Sequence, residues 1–532
     1  MATASPAGAP TAARGSPPVA PRPGRPLPAR ATVRRLPPAP DLVLGGIVCF
    51  LVCVAWRLPW LGDLGQHAAV LERLTQNLSD PGSPLVERPG DSSPYYTPYT
   101  VLAALLARLT GLSTFATLSV CATVNAVALL AALRRFVRTL SSGAWAPVFA
   151  TLCMLFLWGT HLFLWGGHTS LSALCLSLSY PSTFALALGL HLWARLMRAT
   201  RGRTGAGHWA VTGVLVAVLV LIHPVMAVGA LIGCGAVCAG TVRGRDRSTL
   251  ARGAAAGVGV LLPLLLWPYG NVLSIPDSSA LDSFHIAAYT SMPERYGLAL
   301  IAVPVLLLRH RRSRRDPLVL LCLGTAGVAA AGWCTGHYTW GRVLPYLLLG
   351  LQCAVAVEVC APWPRARVER MRRTLLAAVL AVALPLGARA QAGALLYLVP
   401  PELMPRVFTA HVQFLPPWPG WEWAMRHVRP GDVVLTNHYV ALRMLPGYGA
   451  YTVMPAWPQP EIPVAENARR ATDMARALNG RTDARLRRKA VCSGGADWLL
   501  LTPSQSIPPG QGFFTVATGP DKSRLVRVDL NC

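Results

Sequence analysis

Charge is scarce in this chain. Asp, Glu, Lys and Arg together make up 14% of its 532 residues, whereas a soluble globular chain carries about a quarter. Hydrophobic residues reach 53% and the mean hydropathy is +0.42, which excludes an ordinary soluble domain and leaves most of the chain solvated by lipid. Acids are the rarer sign, 23 against 49 basic residues. The apolar stretches hold almost none, and Glu358 sits close to the end of its own. That absence argues against ion-coupled transport, which places ionisable residues at mid-membrane. No G-x-G-x-x-G, P-loop or G-x-S-x-G signature occurs, so no nucleotide-binding fold is expected. Zinc-type cysteine spacing is absent too. Most of the 13 cysteines lie in apolar runs, where cysteine acts as a small hydrophobe. Cys492 and Cys532 are the exceptions, and a disulfide between them would fit an oxidising compartment. No RNA- or DNA-binding signature accompanies the net charge of +26, so nucleic acid is not assigned as a partner.

What the chain does have is arginine at regular intervals. Clusters occur at Arg14 to Arg35; Arg134, Arg135 and Arg138; Arg195 to Arg203; Arg243 to Arg252; Arg309 to Arg315; and Arg365 to Arg373. They occupy every second gap between the apolar runs. Arginine near span ends stays cytoplasmic, where it also meets anionic lipid headgroups. This rhythm predicts a multi-pass protein of the plasma membrane with a cytoplasmic N-terminus and its polar C-terminal portion outside. The excess of arginine over lysine and the abundance of alanine point to a GC-rich bacterial coding sequence.

The expected fold class is an α-helical polytopic membrane protein with a small C-terminal extracytoplasmic α/β domain. Residues 1–41, rich in Pro, Ala and Arg, read as a disordered cytoplasmic tail. Residues 42–400 form the transmembrane domain, with a large first outer loop at 61–113 and about eleven spans, some shorter than the ~20 residues of a full crossing. Within that loop TVLAALLARLTGL is read as a helix lying on the interface, because a crossing there would force Arg134, Arg135 and Arg138 outside. GGHTSLSALCLSLSY reads as an outer or re-entrant stretch. In residues 401–532, WPGWEWAMRHV reads as a short amphipathic helix. GDVVLTN, GAYTVMPAW, ADWLLLTPS and FFTVATG read as strands, with a charged helix from Pro463 to Arg488 between them.

Candidate chemistry gathers in the outer gaps. A helix starting at Asp63 puts Asp63, His67 and Val70 on one face; a carboxylate at a membrane surface is a general-base candidate, and Asp63 is equally a good helix N-cap. His67 has the alternative of a plain interfacial residue. His337, Tyr338 and Trp340, and likewise Tyr95 and Tyr96, could line a sugar pocket or belong to the aromatic belt of any membrane interface. Asp277, Asp282 and His285 could meet an acceptor or simply be solvated. His161, His168 and His223 read as packing residues.

GDLGQH is followed by TPYTVLAALLARLTGLSTFATLSVCATVNAVALLAALRRFVRTL. An acid directly after the first span, a surface helix introduced by proline, a G-L-S element, and a span ending in paired arginines follow in that order. This order resembles the GT-C class of multi-spanning glycosyltransferases, such as protein mannosyltransferases and aminoarabinose transferases. The resemblance covers roughly the first 140 residues and the general layout. It implies a polyprenyl-phosphate-sugar donor, a glycan, lipid or protein acceptor, and a single inverting displacement in which Asp63 activates the acceptor hydroxyl. Members of the class usually carry two acids close together in the first loop. Here Asp63 is followed by Leu64, Gly65, Gln66 and His67, so no metal site is assigned. The departing lipid phosphate needs cationic donors. Arg342 in GHYTWGRVLPY is the first candidate because it breaks the positive-inside pattern; Arg389 and Arg57 are further candidates. Each could instead snorkel to lipid phosphates. A lipid or small-molecule transporter or flippase, and a non-catalytic envelope assembly protein, are the alternative readings.

Overall fold

Local stop and start signals divide the chain into its helices. The computed structural model describes residues 38–532 apart from 89–90, 92, 203, 242–246, 271–280, 401–402, 405, 458, 460–461, 508–511 and 531. Nearly all of the expected N-terminal tail, and Asp277, therefore lie outside the described residues. The first run of helices is α1 (Ala39–Arg57), α2 (Leu64–Gln76), α3 (Pro98–Thr110), α4 (Thr114–Leu140), α5 (Ala146–Phe156), α6 (Leu171–Ser177), α7 (Pro181–Ala199), α8 (Ala206–Ile222), α9 (Pro224–Thr241) and α10 (Arg247–Leu266). Then follow the short α11 (Asp282–His285) and α12 (Met292–Tyr296), α13 (Val303–Arg312), α14 (Pro317–Thr335), α15 (Leu344–Val359) and α16 (Arg367–Ala390).

Caps explain several boundaries. Thr97 and Thr100 close a reciprocal capping box on α3, Pro98 opens it, and Gly111 ends it at φ +70°. The Asp316 carboxylate accepts from the amides of Leu318 and Val319 at the start of α14. Among the described residues, seven helices are long and apolar enough to cross a membrane, or nine if the bent pairs α6–α7 (114°) and Asp282–Tyr289 with Met292–Arg312 (68°) each make one span. This is a multi-pass membrane protein. At 13 residues α3 is too short to cross. The apolar stretch beginning at Ala146 stays helical only to Phe156. Beyond it, the amides of Thr160 and His161 bond the carbonyl of Glu294 and take the backbone out of the helical ladder.

Small residues let the helices approach closely. A Cβ at Gly213 would overlap Ala256 of α10, and one at Gly259 would overlap Ala210 of α8. Asn125, fully buried in α4, donates to the Tyr99 hydroxyl (2.9 Å) and to the carbonyls of Leu178 (2.7 Å) and Tyr180 (3.3 Å). It thereby fastens α3 and the α6–α7 bend to one point.

The C-terminal portion contains α17 (Arg406–His411), α18 (Glu422–Met425), β1 (Val433–Leu435), α19 (Tyr439–Met444), β2 (Tyr451–Thr452), α20 (Val464–Leu478), α21 (Ala484–Ser493), β3 (Trp498–Leu501), β4 (Phe513–Thr518) and β5 (Arg524–Val528). The sheet order is β2-β1-β3-β5-β4. β1 runs parallel to β2 and β3, whereas β5 is antiparallel to β3 and β4. Every residue of β1 and β3 is buried, the unbroken apolar pattern of strands covered on both faces. Each expected strand segment contains a strand, and β5 was not anticipated. The expected helix over Pro463 to Arg488 is two helices, because Asp483 caps a new start. Only Glu422–Met425 of WPGWEWAMRHV is helical. The structure pairs Cys492 with Cys532.

The C-terminal portion is seated on α2. Arg73, 2% exposed, donates to the carbonyls of Gly449 (3.0 Å) and Ala450 (2.9 Å) and lies 3.6 Å from the Tyr451 ring. Trp60 stacks on Tyr448 at 5.4 Å, and the amide of Trp418 donates to the Trp60 carbonyl. Arg73→Ala should cost about 2–4 kcal/mol of that docking, since it removes charged hydrogen bonds and leaves buried carbonyls unmet. Hydrogen exchange should then quicken first around residues 447–452.

Candidate active site

A tight turn delivers Asp63. Leu58 (φ +41°) and Gly62 (φ +65°) both adopt left-handed backbone between α1 and α2, which glycine tolerates and leucine rarely does. Asp63 stands at the N-cap position of α2, yet its side chain makes no cap hydrogen bond. The expected structural use of this acid is therefore not taken up. Its carboxylate lies 3.5 Å from a guanidinium nitrogen of Arg443, whose side chain is 16% exposed against 54% for Asp63. That separation makes an ion pair and no hydrogen bond.

Arg443 comes from α19, more than 370 residues away in sequence. Its guanidinium lies over Trp457 (4.3 Å), Tyr439 (4.8 Å) and Trp418 (5.9 Å). Sequence reasoning missed it; an arginine in an amphipathic C-terminal turn carries no mark of its role.

Arg342 lies in the 3₁₀ turn Tyr338–Val343. It is 8% exposed, lies 5.7 Å from the Trp165 ring, and one of its terminal nitrogens is buried without a partner. The charge of Asp63 is felt at Arg342, and Tyr95 and Tyr296 act on it as well. His285 feels both Arg342 and Asp63; its ring lies 5.4 Å from Trp165, and its Nδ1 is 3.2 Å from the Thr339 hydroxyl. Asp63, Arg342 and His285, distant in sequence, thus lie within electrostatic reach of one another, and Tyr95 within reach of Arg342.

The other expected residues divide. His67 points inward, its ring 4.5 Å from Tyr180 and its Nδ1 buried and unpartnered. Burial pushes the His67 pKa down to about 4, and the nearby Asp63 charge opposes this only in part. The imidazole is therefore neutral at physiological pH. An unfolded histidine titrates near 6.5, so as pH falls from about 6.5 to 4 the unfolded chain takes up the proton first and the native state loses stability. His67→Gln should reduce the fall in thermal midpoint across that window, read by melting in detergent at pH 7, 6, 5 and 4.

Asp282 accepts from the Thr339 amide (2.7 Å) and hydroxyl (2.6 Å) and lies 3.5 Å from His337. It positions the turn that carries Arg342. His337 stacks on the half-exposed Trp340, while Tyr338 packs against Tyr289 and Trp333. Tyr96 is buried and donates to the Gly82 carbonyl, a structural use. Arg57 and Arg389 are exposed at the ends of α1 and α16, and no contact joins either to Asp63 or Arg342. Among the described residues no group of three His, Cys, Asp or Glu could hold a metal ion. A cavity of about 540 Å³ lined by Gln76, Arg108 and Tyr269 among others lies at the other end of α2 and includes none of the expected site residues.

No protein-family model matches the chain, and no curated protein matches its sequence. Solved structures do match its shape. The arabinofuranosyltransferase AftD from Mycobacteria superposes with a TM-score of 0.56 at 15% identity over 92% of this chain. ArnT from Cupriavidus metallidurans, an aminoarabinose transferase solved bound to undecaprenyl phosphate, superposes at 0.50 with 13% identity, covering 91% of this chain and 97% of its own. The fold is that of the GT-C glycosyltransferases. The chain spans about two fifths of AftD, 40% of its length. Within this GT-C fold, Asp63 opens the first loop after α1 and Arg342 precedes α15. Arg443 arrives from the C-terminal portion.

Proposed function

We propose that the protein transfers a sugar from a polyprenyl-phosphate donor to an acceptor hydroxyl on the outer face of the membrane. In this reading the chain crosses the membrane about eleven times with its N-terminus cytoplasmic, and residues 401–532 form an extracytoplasmic domain. The observation that carries it is a carboxylate left unused as a cap, within electrostatic reach of a buried arginine that has an unpartnered nitrogen. The GT-C likeness supports the same kind of reaction.

Asp63 takes the proton from the acceptor hydroxyl as that oxygen bonds the anomeric carbon. The bond from that carbon to the phosphate oxygen breaks on the opposite side, inverting the centre, and its electron pair leaves with the lipid phosphate. Arg342 stabilises the charge gathering there, inside a site from which water is largely excluded. Arg443 holds the Asp63 carboxylate by charge. The ring faces of Trp418, Tyr439 and Trp457 flank the acceptor's approach.

Purified protein in proteoliposomes, given a polyprenyl phosphate bearing a labelled sugar, should release free polyprenyl phosphate and glycosylate an acceptor with inverted anomeric configuration. Movement of intact donor across the bilayer without bond cleavage would establish the carrier reading instead.

A further inference from the structure

The GGHTS turn is absorbed by none of the roles above, and it carries a dense run of unmet buried polar groups. Gly167 adopts φ +88°, and a Cβ there would come 2.8 Å from the Met226 sulfur and 3.8 Å from an Arg342 terminal nitrogen. Only glycine allows the backbone so near Arg342 in that conformation. The next three residues, His168, Thr169 and Ser170, are each 2% exposed. Both ring nitrogens of His168 and the hydroxyls of Thr169 and Ser170 find no partner. Ser182, also 2% exposed, has an unpartnered hydroxyl, and a Cβ at Gly166 would lie 3.7 Å from it. The apolar faces of Trp158, Phe163 and Tyr296 surround the His168 ring.

A buried hydroxyl or imidazole left unmet carries the full cost of its desolvation. One such group is an ordinary irregularity. Four neighbouring residues beside an arginine that itself has a free buried nitrogen make a donor set for an anion with several acceptor oxygens. We propose that residues 166–170 and Ser182, together with Arg342, form a cradle for a phosphate group, namely that of the polyprenyl-phosphate donor. The inference rests on the donor reading above and adds to it the residues that grip the headgroup. A phosphate offers three or four oxygens, and one arginine cannot satisfy them all in a desolvated pocket. Hydroxyls on a fixed turn supply the remainder with no further buried charge. His168 serves as a neutral donor: burial, with Arg342 and then Arg295 alongside, holds its pKa well below the ordinary value.

The test is binding of decaprenyl phosphate to the purified full chain, with decaprenol and inorganic phosphate as separate probes. Thr169→Val with Ser170→Ala should weaken decaprenyl-phosphate binding by about 10- to 100-fold. Without lipid, that double variant should melt at or above the wild-type temperature, because hydroxyls that lack partners can be replaced by apolar groups at little cost. A marked loss of lipid-free stability would show that they hold the fold, and would overturn the cradle. Equal binding of decaprenol would overturn it too, since only the tail would then be recognised. Binding of decaprenyl phosphate but not of inorganic phosphate assigns the cradle to a lipid headgroup; binding of both assigns it to phosphate as such, and either supports it. Arg342→Gln separates the two levels of the argument. If it abolishes binding while the double variant binds like wild type, the cradle fails and the donor reading stands. If both bind like wild type, the donor reading fails as well.

Discussion

Asp63→Asn is expected to slow sugar transfer by about 10²- to 10⁴-fold, the contribution of one positioned general base, while decaprenyl-phosphate binding stays near wild type. The amide keeps the size and shape of the side chain and removes the lone pair that accepts the proton. No cap hydrogen bond is lost, because the Asp63 side chain makes none. The one ionic contact removed is that with Arg443, which is long and partly exposed and so contributes little to stability. The melting temperature should therefore barely move. Single-turnover measurement with a labelled lipid-linked sugar separates the chemical step from binding. Wild-type turnover in this variant would remove Asp63 from the mechanism.

Arg342→Gln should give the second large effect, a loss of about 10²- to 10³-fold in transfer, the range seen when one donor to a developing charge is removed. It should also weaken donor binding, which Asp63→Asn should not. Arg342 is buried, so it acts in a low dielectric where each charge counts for more. Arg342→Lys should recover only part of the loss, because an ammonium lacks the planar fork that meets two oxygens at once. A KM increase with kcat unchanged would mean that Arg342 binds the donor without favouring the transition state.

Much of this layout was legible in the residues because membranes impose few, strong rules. The arginine clusters and apolar run lengths located the helices. The short, proline-led TPYTVLAALLARLT stretch was read apart from the spans, and its helix is 13 residues long, short of a full crossing. What resisted reading depends on long-range approach. The early end of α5 goes with contacts to Glu294, and Asn125 of α4 holds the α6–α7 bend, both far off in sequence. At the site, Asp63 and Arg342 stood out by chemical type and by position against the charge pattern. Arg443 did not, because nothing local distinguishes it from the many other arginines. Arg57 and Arg389 matched the same charge criterion as Arg342, yet their helices leave them exposed. Nothing in the sequence marks the hydroxyls of Thr169 and Ser170; that they are buried without partners is visible only in the fold.

The close fit between α2 and α19 has a consequence for how the protein comes into being. A Cβ at Gly65 would overlap the carbonyl oxygen of Arg443, so a carboxylate placed early in synthesis is completed by a cation made near its end. A ribosome that has delivered every membrane helix has still not produced the finished site proposed above. Under the proposed mechanism, activity would begin only after the C-terminal portion has emerged and settled onto α2, a helix of the first outer loop made long before.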